Sequence, residues 1–175
     1  VNHSIIVVDE RPPITKTMAR GNNQLRSDLN TLSKLVEDRK QSAIFKAARQ
    51  ISESAHEGQF RRDGRKYFLH TLDVAKRVKG WDAKIVGILH DTFEDTPVRS
   101  EDLRKAGIPE NVIAGVEAMT HDKKMTYLEY IEKQVKPNAL ARAVKLVDLK
   151  MNMVDNLNVE QMMRYRKAYQ ILTDK

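Results

Sequence analysis

The sequence contains no cysteine, and this absence restricts both its folding chemistry and its catalytic chemistry. Disulfide bonds, thiol nucleophiles and cysteine-ligated zinc are excluded, so histidine and carboxylate side chains must hold any bound metal. Aromatic residues make up only 6% of the chain, and no Cys/His finger or glycine-aromatic strand motif is present. We therefore do not expect nucleic acid as a partner.

Long apolar runs are also missing. No stretch approaches the roughly 20 apolar residues that a membrane-spanning helix needs. The short run SIIVV near the N-terminus is followed by Asp9 and Glu10, unlike the hydrophobic region of a secretory signal. The sequence therefore predicts a cytoplasmic protein without a membrane partner.

Positive charge is in excess, with 31 Lys and Arg against 24 Asp and Glu and a net charge of +7. Such an excess favours an anionic partner, for which a nucleotide and other phosphorylated molecules are candidates. The length of 175 residues and the hydrophobic content of 41% fit one compact domain. The oligomeric state is left open.

Apolar residues recur at intervals of three and four along most of the chain, which predicts an all-α fold. Residues 1–24 differ and are predicted to form an arm of unknown role, with one short strand at residues 5–8. The domain itself is predicted to occupy residues 25–175. Its first two helices carry Leu25, Leu29, Leu32 and Val36, and then residues 44–55. Further helices are predicted over residues 70–78, 82–96, 100–107, 109–119, 126–135, 138–155 and 159–172.

The stretch GILHDTFEDTP places a histidine and three carboxylates directly behind an apolar run. On a continuous helix, Glu94 lies four residues after His90, and Asp95 lies four after Asp91, which stacks the four groups together. Ionised carboxylates at the edge of a core are costly without a compensating cation. A divalent metal ion would compensate them.

Two further residues extend this pattern. His70 begins a predicted helix upstream, and Asp148 lies beside the apolar side of a later helix. Two histidines and two aspartates suit Mn²⁺, Fe²⁺, Zn²⁺ or Mg²⁺. A second pair, His121-Asp122, has no apolar run behind it and is interpreted as part of a loop. A polar stripe follows the Asp148 helix and consists of Lys145, Asp148, Asn152 and Asp155.

The pattern H…HD…D resembles the HD-domain metal-dependent phosphohydrolases. Three segments narrow the resemblance to the guanosine tetra/pentaphosphate (ppGpp) hydrolase domain of RelA/SpoT-type enzymes and their small single-domain relatives. AHEGQFRRDGRKYFLH resembles the turn and first metal histidine of that domain, and LHDTFEDT is similar to its HDTVEDT signature. AVKLVDLKMNMVDN resembles its K-L-A-D-x-x-x-N-x-x-D segment. The three segments occur in the family's order and span residues 43–157.

This resemblance implies a role for each matching residue and a cofactor, most simply Mn²⁺. It implies removal of the 3′-pyrophosphate from guanosine tetra- or pentaphosphate, leaving GDP or GTP. The metal ligands would be His70, His90, Asp91 and Asp148. Glu94 and Asp95 would be the acid pair that acts on the attacking water. The substrate would be contacted by Arg61, Arg62, Lys145 and Asn152.

Departures from the family pattern leave alternatives. Lys66 and Thr71 replace two family prolines, and the interval between His70 and His90 is shortened. A general HD-domain nucleotidase or nucleoside triphosphate hydrolase needs only the four ligands, and a non-catalytic nucleotide-binding module is a third hypothesis. Arg61 and Arg62 are also consistent with solvated turn charges, and His56 is interpreted as a surface or structural histidine.

Overall fold

The computed structural model describes residues 16–154 and 158–174. All regular elements in these ranges are helical, which confirms the predicted all-α fold. Phe60 and Lys66 form an isolated antiparallel bridge within a turn. The strand predicted at residues 5–8 lies outside the described residues. No helix in the described part of the chain is long and apolar enough to cross a membrane.

The chain divides into two compact units, Val1–Lys40 and Gln41–Lys175. Helix α1, Lys16–Ala55, supplies the described part of the first unit and opens the second. The prediction of separate helices around residues 25–36 and 44–55 is therefore wrong. The intervening EDRKQSA contains neither glycine nor proline, so nothing in it interrupts a helix. The helix also begins within the segment predicted as an arm, of which residues 1–15 lie outside the described range.

The second unit contains eight further α-helices among the described residues, besides the end of α1. Residues Ile131–Val135 continue α7 as a π-helical turn, so the helix predicted over residues 126–135 changes its winding midway. The helices are α2 (Phe68–Arg77), α3 (Trp81–Leu89), α4 (Thr92–Asp95), α5 (Ser100–Lys105), α6 (Glu110–Met119), α7 (Tyr127–Tyr130), α8 (Ala139–Val154) and α9 (Val159–Thr173).

Helix α3 lies at the centre of the second unit and packs against α2, α6 and α8. Ile85, Val86, Ile88 and Leu89 are fully buried. A helix that is apolar on nearly all sides must be surrounded by other elements, which explains this central position. The residues that follow α3 are therefore delivered to the interior of the unit.

Two glycines allow the helices around α3 to approach closely. A Cβ atom on Gly87 would lie 3.0 Å from the Cα of Ala75 in α2. A Cβ atom on Gly115 in α6 would lie 2.8 Å from Cγ2 of Val86. The absence of these side chains therefore sets the spacing between α3 and its neighbours.

The helix predicted over residues 82–96 is interrupted. Helix α3 ends at Leu89, and α4 begins at Thr92, so the His90-Asp91 pair occupies the junction. Asp91 has φ −100° and ψ −2°, in the sparsely populated bridge region of backbone conformation. In a continuous helix, the Gly87 carbonyl would accept a hydrogen bond from the Asp91 N–H. Here it accepts one from Nδ1 of His90 at 2.8 Å. The prediction that a continuous helix stacks the four groups together is therefore wrong.

Candidate metal centre and adjoining cavities

A tight turn leads from α1 to the first histidine of the cluster. The N–H of Arg61 donates to the Arg65 carbonyl at 2.8 Å, and the N–H of Tyr67 donates to the Gln59 carbonyl at 2.9 Å. Gly64 has a φ of +81°, a conformation that favours glycine at the tip of this turn. Three residues after Tyr67, His70 enters the interior from the first turn of α2.

Three of the predicted ligands form one group. The ligand atoms of His70, His90 and Asp91 all lie within 4.8 Å of one another, a spacing that one metal ion can bridge. The two imidazole rings are buried. The Asp91 side chain is 16% exposed, so the group has one side open toward solvent.

Asp148 of α8 lies outside that three-residue group but contacts both of its histidines. Its Oδ1 atom is 3.2 Å from Nε2 of His70 and 3.7 Å from Nε2 of His90. Nε2 of His90 is also 3.1 Å from Oδ2 of Asp91. All four predicted ligands therefore come together from three separate parts of the chain.

The chemistry of this donor set fits a cation. Because Nδ1 of His90 donates to a carbonyl, Nε2 of the neutral ring carries a lone pair, and no described residue donates a hydrogen bond to it. Burial lowers the pKa of His90, but the charges of Asp91 and Asp148 outweigh it and raise this pKa to about 10. The cluster thus binds a positive charge strongly, either as a proton or as a metal ion that two nitrogens and two carboxylates would hold.

The carboxylates in the cluster stay ionised despite their burial. Burial raises the pKa of Asp91, but the neighbouring His90 outweighs it and lowers this pKa to about 2. Burial also raises the pKa of Asp148, but Lys145 and the two histidines outweigh it and hold this pKa well below its usual value. Both groups are therefore available as anionic ligands at neutral pH.

Lys145 and Asn152 make their contacts with Asp148. Nζ of Lys145 is 3.0 Å from Oδ2 of Asp148, and Nδ2 of Asn152 donates to Oδ1 at 2.6 Å. Nη2 of Arg61 donates to Oδ1 of Asn152 at 3.4 Å. Lys145 and Asn152 orient the carboxylate, and all three side chains line the cavity beside it. Asp155 of the predicted stripe lies outside the described residues.

A cavity of about 400 Å³ opens beside the cluster, and we call it the central cavity. All four predicted substrate-contact residues line it, together with three of the four predicted metal ligands. Sequence reasoning did not identify the contribution of α9. The lining residues are Phe60, Arg61, Arg62, Asp63, Tyr67, His70, Asp91, Lys145, Asp148, Asn152, Gln161 and Tyr165.

A second cavity of about 560 Å³ adjoins the first, and we call it the α2–α8 groove. It shares Arg61 and His70 with the central cavity. Its remaining lining combines basic side chains with an apolar floor and one acid, namely Arg65, Lys66, Leu69, Asp73, Arg77, Val147, Lys150, Met151 and Val154. The two cavities together offer positive charge and apolar surface next to the cluster.

The predicted acid pair lies beside the cluster in α4 and does not line the central cavity. Nζ of Lys123 is 2.9 Å from Oε1 of Glu94, whose side chain is 28% exposed. Burial, followed by the charges of Asp91 and Glu94, raises the pKa of Asp95. A raised pKa suits a carboxyl group that accepts a proton.

Tyr67 and His56 are polar neighbours of the cluster to which the sequence pattern assigned no role in the site. The hydroxyl of Tyr67 donates to Oδ2 of Asp91 at 2.7 Å. His56 is buried, contrary to a surface position, and its ring lies 5.0 Å from that of Tyr67. Nδ1 of His56 bonds Oε1 of Gln59 at 2.9 Å, and Nε2 of Gln59 donates to the Asp95 carbonyl at 3.0 Å.

Among the described residues, the second HD pair is not part of the ligand group. His121 follows α6 and has Nε2 within 3.0 Å of the Met125 carbonyl. Its ring packs against Tyr130 at 4.7 Å. The pair lies between helices, where the sequence pattern places a loop.

No protein-family model matches this chain. The chain is 34% identical over 111 residues to a guanosine-3′,5′-bis(diphosphate) 3′-pyrophosphohydrolase of Borreliella burgdorferi, covering 57% of this chain and 16% of that protein. It is 33% identical over 125 residues to a GTP pyrophosphokinase of Streptomyces coelicolor, covering 69% of this chain and 15% of that protein. The chain thus spans about a sixth of the length of these relatives.

A solved structure resembles the fold. This structure is of a metazoan ortholog of SpoT that hydrolyses ppGpp, and it matches with a TM-score of 0.60 at 20% identity. The match covers 74% of this chain and 85% of that one. These findings confirm the resemblance that the three sequence segments predict.

Proposed function

We propose that this chain is a metal-dependent phosphohydrolase that removes the 3′-pyrophosphate of guanosine tetra- or pentaphosphate and releases GDP or GTP. The observation that carries the proposal is the buried cluster of two histidines and two ionised aspartates, in which Nε2 of His90 faces carboxylate oxygens. The similarity to a 3′-pyrophosphohydrolase supports the choice of reaction. We assign His70, His90, Asp91 and Asp148 as the metal ligands.

A bound divalent ion would supply Lewis acidity, which acidifies water and neutralises charge on the pyrophosphate. The water oxygen forms a bond to the phosphorus next to the 3′-oxygen, and the bond between that phosphorus and the 3′-oxygen breaks. We assign Asp95 and Glu94 as acceptors of the proton from water. Their position in α4, directly after the His90-Asp91 junction, supports this role. The departing 3′-oxygen takes up a proton to become the ribose hydroxyl.

The basic side chains of the central cavity would bind the anionic substrate. Arg61 and Arg62 lie on the turn at its rim, and guanidinium groups pair with phosphate and stack on bases. Lys145 lies deeper in the cavity. Burial lowers the pKa of Lys145, but the charge of Asp148 outweighs burial and raises this pKa. Its positive charge therefore persists at neutral pH and can also stabilise a phosphate.

The test is product analysis with purified protein loaded with Mn²⁺. Guanosine tetraphosphate, GTP, dGTP and nucleoside monophosphates are supplied separately, and the products are identified by chromatography. We expect GDP and pyrophosphate from guanosine tetraphosphate, with activity lost in chelator and restored by Mn²⁺. Cleavage of GTP, dGTP or monophosphates without cleavage of guanosine tetraphosphate would establish a general nucleotidase in its place.

A variant of the turn tests the substrate contact. Arg61→Ala should raise KM for guanosine tetraphosphate while metal stoichiometry stays unchanged, because the guanidinium contacts substrate and not the proposed ligand cluster. Arg49→Ala, which removes a cation from α1 outside both cavities, is the matched control. An unchanged KM in Arg61→Ala would contradict the assigned contact.

A further inference from the structure

The N-terminal half of α1 carries a row of large apolar side chains in contact with solvent. Every residue from 23 to 40 is exposed. Leu25, Leu29, Leu32 and Val36 retain 54–68% of their accessible surface, and Leu35 beside them retains 55%. We call the first four residues the α1 seam. Half of the large exposed hydrophobic side chains in the described chain therefore lie within residues 25–36.

The spacing of the seam matches that of paired helices over about two heptads. Its residues follow one another at intervals of four, three and four, which are the alternating a and d positions of a heptad repeat. A helix that packs on a globular core usually presents a wider stripe, whereas an a/d stripe is the narrow contact between two paired helices. The chemistry of the seam thus fits another helix with the same seam.

The energetics of the exposed helix also favour a partner. Isolated helices are marginally stable in water, and most helices in proteins are stabilised by packing of an apolar face. Large contiguous apolar patches are uncommon on monomers, and the largest patch on a protein surface is often functional. Residues 23–40 of α1 combine both features, since they are helical and their apolar side chains are exposed.

We propose that two copies of this chain pair through the α1 seam. The seam is self-complementary, because an a/d stripe on one copy meets the same stripe on the other. The seam and Leu35 expose roughly 500 Å² of apolar surface per copy, so a pair would bury about 1,000 Å², near the lower limit for a specific interface. An interface of this size predicts a dimer that dissociates on dilution. The pairing is independent of the phosphohydrolase assignment.

Light scattering coupled to size exclusion, on the full chain over a range of concentrations, tests the pairing. The wild type should approach twice the mass of one chain at high concentration and return to that mass on dilution. The double variant Leu29→Glu/Leu32→Glu should stay monomeric, because it places four carboxylates in the apolar interface of a pair. The matched control Asn30→Glu/Thr31→Glu adds the same charge beside the seam and should dimerise like the wild type.

A second variant keeps the test decisive if the charged one loses its structure. Leu25→Ser/Val36→Ser removes apolar surface from both ends of the seam without adding charge, and it should shift the monomer–dimer midpoint at least tenfold. Circular dichroism and metal binding report whether each variant remains folded. A wild type that is monomeric at every concentration, or a dimer that survives in both folded seam variants, would overturn the proposal.

Discussion

At the scale of single residues, one ring orientation determines what the cluster can bind. The Gly87 carbonyl fixes the proton of His90 on Nδ1, so Nε2 is directed toward the carboxylates of Asp91 and Asp148. Such a backbone hydrogen bond on the far nitrogen is the usual way in which proteins orient a metal-binding histidine. Sequence spacing identified the four residues of the cluster, but it could not show this hydrogen bond, because it depends on where α3 ends.

Glu94→Gln separates proton transfer from metal binding. The side chain keeps its volume but loses its basicity, and its partner Lys123 lies outside the proposed ligand group. We expect turnover of guanosine tetraphosphate to fall by roughly 10²–10⁴-fold, the usual contribution of general acid–base catalysis, while bound metal is retained. Steady-state kinetics and metal analysis of the same sample measure both effects.

Lys123→Ala is the control for this substitution, since it removes the ion pair but leaves the Glu94 carboxylate in place. It should retain most of the turnover. If Glu94→Gln lost its metal, Glu94 would be a ligand or a structural support. If it retained full activity, the carboxylate would only solvate the end of α4.

Gln59→Leu tests whether the turn before α2 positions α4. Gln59 joins buried His56 to the Asp95 carbonyl, so its loss frees the backbone that carries the acid pair. We expect turnover to fall about tenfold or more, because small displacements of catalytic groups are costly, with metal stoichiometry unchanged. Hydrogen–deuterium exchange of residues 92–96 should increase in the variant. Glu57→Gln, an exposed change in the same turn, serves as the control, and unchanged exchange in Gln59→Leu would contradict this role.

At the scale of helices, sequence periodicity predicted most elements but not their ends or continuity. The all-α fold follows from the three-to-four spacing of apolar residues, and α8 and α9 lie close to their predicted ranges. Periodicity predicted two helices where the structure has the single helix α1. The gap in the apolar pattern between them is a polar stretch that remains helical. Periodicity also could not show whether the leucines of α1 are buried, because burial depends on the partner of a helix.

Gly87→Ala tests the close packing of α2 and α3. The new methyl group would meet the backbone of Ala75 at 3.0 Å, which cannot rotate away, so the helices must separate by a few tenths of an ångström. We expect a loss of about 1–3 kcal/mol in the free energy of unfolding, as for other overpacked cores. Metal affinity should also fall, since His70 lies on α2 and His90 follows α3. Denaturant unfolding and calorimetric titration measure the two quantities.

Gly115→Ala provides the comparison, because it introduces the same methyl group between α6 and α3. That group would meet the Val86 side chain, away from the two histidines. It should reduce stability while the folded protein keeps its metal affinity. Equal loss of metal affinity in both variants would indicate a general effect of stability and not of helix spacing.

At the scale of the whole molecule, the cluster should couple metal binding to folding. Its four residues come from α2, the junction after α3, and α8, so the site exists only when these elements are packed together. A ligand that binds the folded state alone stabilises it by about 2.7 kcal/mol at a hundred times its Kd. For a domain of this size, Mn²⁺ should therefore raise the Tm by roughly 5–10 °C.

The two His-Asp pairs of the chain, His90-Asp91 and His121-Asp122, allow a matched test of this Tm shift. Asp91→Ala removes a proposed ligand and should abolish the Mn²⁺-dependent rise in Tm together with the bound metal. Asp122→Ala changes the same dipeptide in the loop after α6, where His121 contacts the Met125 carbonyl, and should retain the full rise. Scanning calorimetry with chelator and with Mn²⁺ gives the shift for each protein. A wild type without a shift would show that Mn²⁺ does not stabilise the folded state. An undiminished shift in Asp91→Ala would show that the ion binds elsewhere.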